Sequence, residues 1–287
     1  MEREIERVAV LGAGTMGHGI AQVTAAAGCD VILCDTTEER AREGLARIRE
    51  NLEEGVRRGK VTAEALDATL ERLAPSGDLE RAVEGADLVI EAVPERFELK
   101  VEVLGKVDAH APVDAIVATN TSSLSVTDLQ CTTSRPERVV GMHFFNPVHI
   151  MKLVEVVRGR RSDESIVRAA VEFAARIDKE PIVVNDSPGF ASSRLGVALG
   201  LEAIRMVEEG VASPDAIDKA MELGYRHPMG PLRLTDLVGL DIRLDIANYL
   251  HEKLGDDRFR PPALLERLVA EGKLGRKTGQ GFYTWDE

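Results

Sequence analysis

The sequence predicts an α/β fold in two parts, alternating strands and helices over residues 1–185 and an all-helical domain over residues 186–287. Three observations carry this. Short β-branched apolar runs recur through the first part, separated by stretches of helical periodicity. A glycine-rich turn joins the first run to the first helix. Past about residue 185 the strand-like runs stop and only helical patterns remain. At 287 residues the chain is longer than one typical core organises, which fits two domains.

The first run, residues 8–11, leads into Gly12-Ala13-Gly14-Thr15-Met16-Gly17 and then a helix. This is G-x-G-x-x-G in the strand-to-helix context that gives the motif meaning. Gly12 permits the tight turn, Gly14 lets a pyrophosphate approach the backbone, and Gly17 lets helix and strand pack closely. The helix N-terminus offers N–H groups and a partial positive charge to phosphate. The second run, residues 30–34, ends at Asp35, 18 residues past Gly17. A carboxylate there bonds the adenosine ribose and repels a 2′-phosphate, so the expected cofactor is NAD rather than NADP. Together these features predict a Rossmann-like NAD-binding domain.

Thr36 and Glu39 fit a capping box, opening a helix that runs to about Gly59. It ends in Arg57-Arg58-Gly59-Lys60, the densest basic cluster in the chain. These cations either complement the helix dipole or grip a phosphate-rich ligand, and the cluster alone favours neither. Further strands are expected over residues 86–93 and 115–119. The latter runs into Asn120-Thr121-Ser122-Ser123-Leu124. Ligands of open α/β sheets bind outside the carboxyl ends of strands, so this loop is a candidate wall of the site. Its hydroxyls could equally be helix caps.

Residues 139–157 hold two apolar β-branched runs joined by a turn containing Pro147. His143 ends the first run, and Glu155 lies inside the second, twelve residues later. An acid among valines disfavours folding unless it has a partner. An imidazole is a fitting one, since the carboxylate holds one tautomer and supports the cation. That describes an oriented general base, although a lone histidine at a strand end also serves purely structural ends.

Asn185-Asp186-Ser187-Pro188-Gly189 combines turn residues with a helix start, and the domain boundary is placed there. Residues 190–209 are apolar on nearly every face, which calls for cover on all sides. A domain of about 100 residues could hardly supply it, so a homodimer through this part is expected. Helical patterns resume over residues 234–254 and 262–271, and residues 275–283 form a glycine-rich tail with Arg276 and Lys277.

The formal charge of −13 has the wrong sign for nucleic acid or an anionic membrane face. Cys29, Cys34 and Cys131 show neither metal nor C-x-x-C spacing and read as small buried thiols of a reducing compartment. No apolar stretch has membrane-spanning length, and the residues before the first run leave no room for a signal peptide, so a cytoplasmic protein is expected.

In these motifs the chain resembles the L-3-hydroxyacyl-CoA dehydrogenase family, in particular its 3-hydroxybutyryl-CoA dehydrogenase type. The likeness rests on residues 12–21 with Asp35, Glu91-Ala92-Val93-Pro94-Glu95, Asn120-Thr121-Ser122-Ser123-Leu124, His143-Phe144-Phe145-Asn146-Pro147, Ser187-Pro188-Gly189-Phe190, His227-Pro228-Met229-Gly230-Pro231 and residues 275–283. The resemblance implies hydride transfer between an acyl-CoA substrate and NAD. It assigns His143 as the base, Glu155 as its orienting partner, and Ser122 and Asn146 to the substrate oxygens and the nicotinamide end. Gly12, Ala13, Gly14, Thr15, Met16, Gly17, Asp35, Glu95, Lys100 and Lys277 would line the cofactor. Asn51, Arg58 and Lys60 would take coenzyme A, which tips the reading of the basic cluster towards function. Many members carry Val-Asn-Arg after Pro-Gly-Phe; here Ala191-Ser192-Ser193-Arg194 places Ser193 where that substrate-side amide would be. Serine is shorter but still donates and accepts. Two other readings share parts of the pattern: a dehydrogenase of a free hydroxy acid such as L-gulonate, and a non-catalytic NAD-binding protein like a lens crystallin.

Overall fold

A computed structural model describes residues 4–285. The chain divides into two compact units between Ser187 and Pro188, two residues beyond the turn-based boundary.

The N-terminal unit is built on an eight-stranded sheet. Its strands are β1 (Arg7–Leu11), β2 (Asp30–Cys34), β3 (Leu73–Ser76), β4 (Leu88–Glu91), β5 (Ile116–Thr119), β6 (Val139–Phe144), β7 (Leu153–Arg158) and β8 (Glu180–Asn185). They lie in the order β3-β2-β1-β4-β5-β6-β7-β8. The pairings are parallel apart from the antiparallel β6–β7 pair. β4, β5 and β6 are buried along their whole length, as expected of strands covered on both faces. Alternate residues of β1 serve opposite cores: Val8 and Val10 pack with Ile20, Leu33 and Ile48, whereas Ala9 and Leu11 pack with Leu104, Val107 and Val117. β3 and β8 escape a reading by apolar runs because Pro75 and Pro181 interrupt them. Both are edge strands, where a missing ladder donor is tolerated.

The helices of this unit are α1 (Gly17–Ala26), α2 (Glu38–Arg57), α3 (Ala63–Glu71), α4 (Leu79–Val83), α5 (Phe97–His110), α6 (Val126–Gln130) and α7 (Glu164–Arg176). Thr37, not Thr36, caps α2, its hydroxyl accepting from the Arg40 amide. Thr36 instead gives its amide and hydroxyl to the Asp35 carboxylate. The sheet order reverses between β1 and β4, and the crevice beyond their carboxyl ends is where such folds take ligands.

The C-terminal unit holds α8 (Ser192–Glu208), α9 (Pro214–Tyr225), α10 (Pro231–Val238), α11 (Leu240–Leu254) and α12 (Ala263–Ala270). Val197, Leu201, Ile204, Leu232, Leu250, Phe259 and Leu265 form its core. The single pattern read over residues 234–254 is two helices that meet at Gly239. Nor is α8 covered all round. Val197, Gly200, Leu201, Ala203 and Ile204 are buried, but Leu195 is 70% exposed. The tail is held by acids, with Asp236 accepting from the Phe282 and Tyr283 amides and the Trp285 indole, and Asp218 from the Tyr283 hydroxyl. Cys29 and Cys34 are buried, but Cys131 is exposed, contrary to expectation. Among the described residues no helix is long and apolar enough to cross a membrane.

Candidate active site

The strand ends meet around a cavity of about 1290 Å³ whose lining residues all belong to the N-terminal unit. Gly12, Gly14, Thr15 and Met16 follow β1, Cys34 and Asp35 follow from β2, and Val93, Pro94 and Glu95 follow β4. Asn120 and Ser122 come from the loop after β5, and His143 and Phe144 close β6.

The glycine turn has the steric form that its spacing requires. Gly12 sits at φ +99°, where a side chain is strained, and a Cβ there would come within 2.7 Å of the Ala92 carbonyl oxygen. At Gly17 a Cβ would stand 1.6 Å from the Gly12 carbonyl oxygen, so α1 can approach β1 only without one. Gly14 has nothing within 4 Å of the equivalent point, leaving an open cradle on the cavity. α1 has no side-chain cap and no acid in its first turn; the His18 amide goes to the Gly14 carbonyl, and the end of the helix presents its positive pole to an anion. Ala13 and Gly17 lie behind the wall rather than on it. The Ala13 amide donates to Asp35 Oδ2 at 2.8 Å, so that carboxylate also braces the turn. These features fit a dinucleotide laid over the turn with its ribose towards Asp35. Beside Asp35, burial and the Asp35 and Asp78 charges push the Cys34 thiol up to about 11, which keeps it protonated at neutral pH.

β6 and β7 pair so that His143 and Glu155 are Cα partners. Residues directly opposite point to the same face, and here His143 Nδ1 lies 2.8 Å from Glu155 Oε2. Glu155 is fully buried and His143 is 6% exposed, on the cavity wall. The Phe145 ring packs 4.5 Å from the imidazole. Next to it, the Phe144 amide donates to Asn120 Oδ1 at 2.9 Å, which ties the end of β6 to the loop after β5.

Glu95 organises that loop. Its Oε1 accepts the Thr121 hydroxyl at 2.6 Å, the Ser122 amide at 2.9 Å and the Ser123 amide at 3.1 Å, with the Ser122 and Ser123 hydroxyls at 3.3 and 3.2 Å. Burial pulls this carboxyl up, but Lys100 and the loop donors outweigh it and hold the group below its ordinary value. Lys100 is not on the wall. It is 1% exposed, and its ammonium sits beneath the cavity on Glu91 at 2.7 Å, because a cation that deep needs a carboxylate.

Other expected residues are placed elsewhere. Asn146 is exposed and does not line the cavity, since the chain turns outward after Phe144. Asn51, Arg58 and Lys60 are also absent from the wall. The Asn51 amide donates to Gln22, Arg58 pairs with Glu54, and Lys60 is exposed with no ion pair among the described residues. Ser193 lies in the first turn of α8, and Lys277 pairs with Asp241 at 2.5 Å, both within the helical unit. Sequence reasoning passed over Glu91, Thr119 and Asn120 as working residues. Glu91 carried the same signal as Glu155, an acid inside an apolar strand, but its partner is a lysine nine residues on rather than a facing histidine.

Residues 7–187 match the family model described as 3-hydroxyacyl-CoA dehydrogenase, NAD binding domain, and residues 189–285 match the C-terminal domain of the same family. The chain belongs to the 3-hydroxyacyl-CoA dehydrogenase family. Its N-terminal unit is therefore a Rossmann-like NAD-binding domain, followed by the family's helical domain, and the protein is an NAD-dependent oxidoreductase. Among its relatives, the 3-hydroxybutyryl-CoA dehydrogenase of Bradyrhizobium diazoefficiens is 44% identical over 99% of this chain and 97% of its own. That of Clostridioides difficile is 41% identical over 98% and 100%. The crystal structure of (S)-3-hydroxybutyryl-CoA dehydrogenase from Ralstonia eutropha superposes with a TM-score of 0.96 at 39% identity, covering 99% of this chain and 100% of that one.

Proposed function

We propose that the protein interconverts L-3-hydroxyacyl-CoA, with 3-hydroxybutyryl-CoA as its substrate, and the 3-ketoacyl-CoA, using His143 as general base and acid. The observation that carries this is the buried His143–Glu155 pair on the wall of the cavity formed by the strand ends. Relatives named for this reaction, alike over nearly the whole chain, support the choice of substrate.

NAD, when bound, supplies the two-electron acceptor; its diphosphate would rest on the amides of residues 14–17 and its ribose hydroxyls on Asp35. Glu155 occupies Nδ1 of His143, which fixes the ring and leaves the proton exchange with substrate to Nε2. In the oxidative direction Nε2 takes the proton of the 3-hydroxyl, and the Glu155 carboxylate stabilises the resulting imidazolium. In the reductive direction the same nitrogen returns it. Ser122, on the same wall, turns its hydroxyl from Glu95 to the substrate oxygen and steadies the charge developing there. Lys60 and Arg58 receive the coenzyme A phosphates at the end of α2. The exposed apolar residues Leu195, Leu234, Leu237, Val238 and Ile242 on α8, α10 and α11 form the face by which two copies associate as a homodimer, since a patch of that kind marks an interaction surface.

The test is oxidation of NADH in the presence of acetoacetyl-CoA, with free keto acids and NADPH alongside. Turnover with acetoacetyl-CoA and NADH is the expected result. Turnover with a free acid alone, or with neither, overturns the proposal.

A further inference from the structure

Two charges beneath the cavity, Glu91 and Lys100, lie against a third on its wall, Glu95. Glu91, at the end of β4, is fully buried, and Lys100 on α5 is 1% exposed. Lys100 Nζ stands 2.7 Å from Glu91 Oε1 and 3.3 Å from Glu95 Oε2, and it also donates to the Val93 carbonyl at 3.3 Å. Glu91 Oε1 further accepts the Val93 amide at 2.8 Å, and its Oε2 accepts the Thr119 hydroxyl at 2.6 Å. Thr119 ends β5, and the next residue, Asn120, holds the Phe144 amide beside His143. One buried carboxylate thus connects the ends of β4 and β5, and through Lys100 it reaches the acid that gathers the Ser122 loop.

We propose that Glu91 is a positioning residue: by holding the Lys100 ammonium beneath the cavity it keeps Glu95 directed at the Ser122 loop. The proposal rests on the reading of Ser122 given above. Two acids share one cation here, and sequestering Glu91 and Lys100 is costly; apolar side chains of similar volume would join these strand ends as firmly or more so. What the charges add is direction. Glu95 can present one oxygen to the loop donors only while its other oxygen has a cation behind it. With Glu91 neutral, Lys100 has Glu95 as its sole carboxylate and draws it back from the Ser122 and Ser123 amides. With Lys100 gone, Glu95 stands beside the buried Glu91 carboxylate with no cation between them and relaxes towards water. Neither Glu91 nor Lys100 lines the cavity; Lys100→Met therefore reaches Ser122 through Glu95, whereas a change at Glu91 also loosens Thr119 at the end of β5.

The experiment compares the full-length wild type with Glu91→Gln, Lys100→Met, the double variant and Glu91→Asp. Amide hydrogen exchange at Ser122 and Ser123 is measured without substrate, and kcat and KM are measured with acetoacetyl-CoA and NADH. Both single variants are expected to speed exchange at those two amides and to lower kcat by about 10- to 100-fold, the scale of a small misplacement near the chemistry. The double variant should be no worse than the worse single one, because the two act along one route, and Glu91→Asp should recover part of the loss. Wild-type protection of both amides in folded Glu91→Gln, or losses that multiply in the double variant, would overturn the proposal. If Glu91→Gln does not fold, Lys100→Met carries the same decision. If the wild type shows no turnover, the proposed reaction falls, and amide exchange still decides whether Glu91 anchors the loop.

Discussion

Glu155 contributes no atom to the cavity wall, and its influence on a proton at His143 runs through Nδ1. Removing the imidazole removes the proton acceptor itself, so His143→Gln should lower kcat by about 10²- to 10⁴-fold. Glu155→Gln keeps a hydrogen-bond acceptor at Nδ1 but loses the charge that favours the imidazolium, so its loss should be smaller. NADH affinity, followed by fluorescence titration, should hold in both variants, since neither residue belongs to the glycine turn. Near-wild-type kcat in His143→Gln would remove it from the mechanism. This pair was legible in the sequence because a carboxylate between valines has few permissible partners. Lys100 was only half legible: the family resemblance pointed to the site, but nothing in the spacing tells a cation on the wall from one beneath it. The placing of Asn146 was not legible either: it is exposed two residues past the end of β6, and spacing does not say which way a chain turns there.

For the elements, the turn between β1 and α1 and the end of β2 followed from the chemistry of their residues, because glycine contacts as close as those at Gly12 and Gly17 leave no alternative packing. β3 and β8 did not, since proline obscures the alternation on which strand reading depends. Asp35, at the end of β2, does two things that a substitution should separate. Asp35→Ala removes the carboxylate expected to repel a 2′-phosphate and also the brace on the Ala13 amide. The ratio of kcat/KM for NADH to that for NADPH should therefore fall, while kcat/KM for NADH falls in its own right. An unchanged ratio, measured with acetoacetyl-CoA as co-substrate, would dissociate Asp35 from cofactor choice. α8 shows the opposite limit. Its apolar residues are too many for one face, and the sequence could not say which are covered within the unit and which, like Leu195, remain exposed.

Across the whole molecule, two units with separate cores are joined at Ser187 and Pro188. The helical unit leaves Leu195, Leu223 and Tyr225 at 70% exposure or more. Light scattering on the wild type should give twice the chain mass. Leu195→Glu, which puts a charge on the face proposed to be shared, should shift the solution towards single chains; a monomeric wild type would refute the dimer. The division into two units was readable because proline and glycine mark it, whereas the size of any assembly depends on exposed surface that periodicity does not reveal. The facing of His143 and Glu155 across antiparallel strands has a consequence for how this chain can vary. Strand register, not the number of intervening residues, brings acid and imidazole together. Extra residues beside the exposed Ile150 would lengthen the excursion between β6 and β7 without separating the pair. A one-residue deletion within β7 that shifts its pairing would turn Glu155 to the opposite face of the sheet.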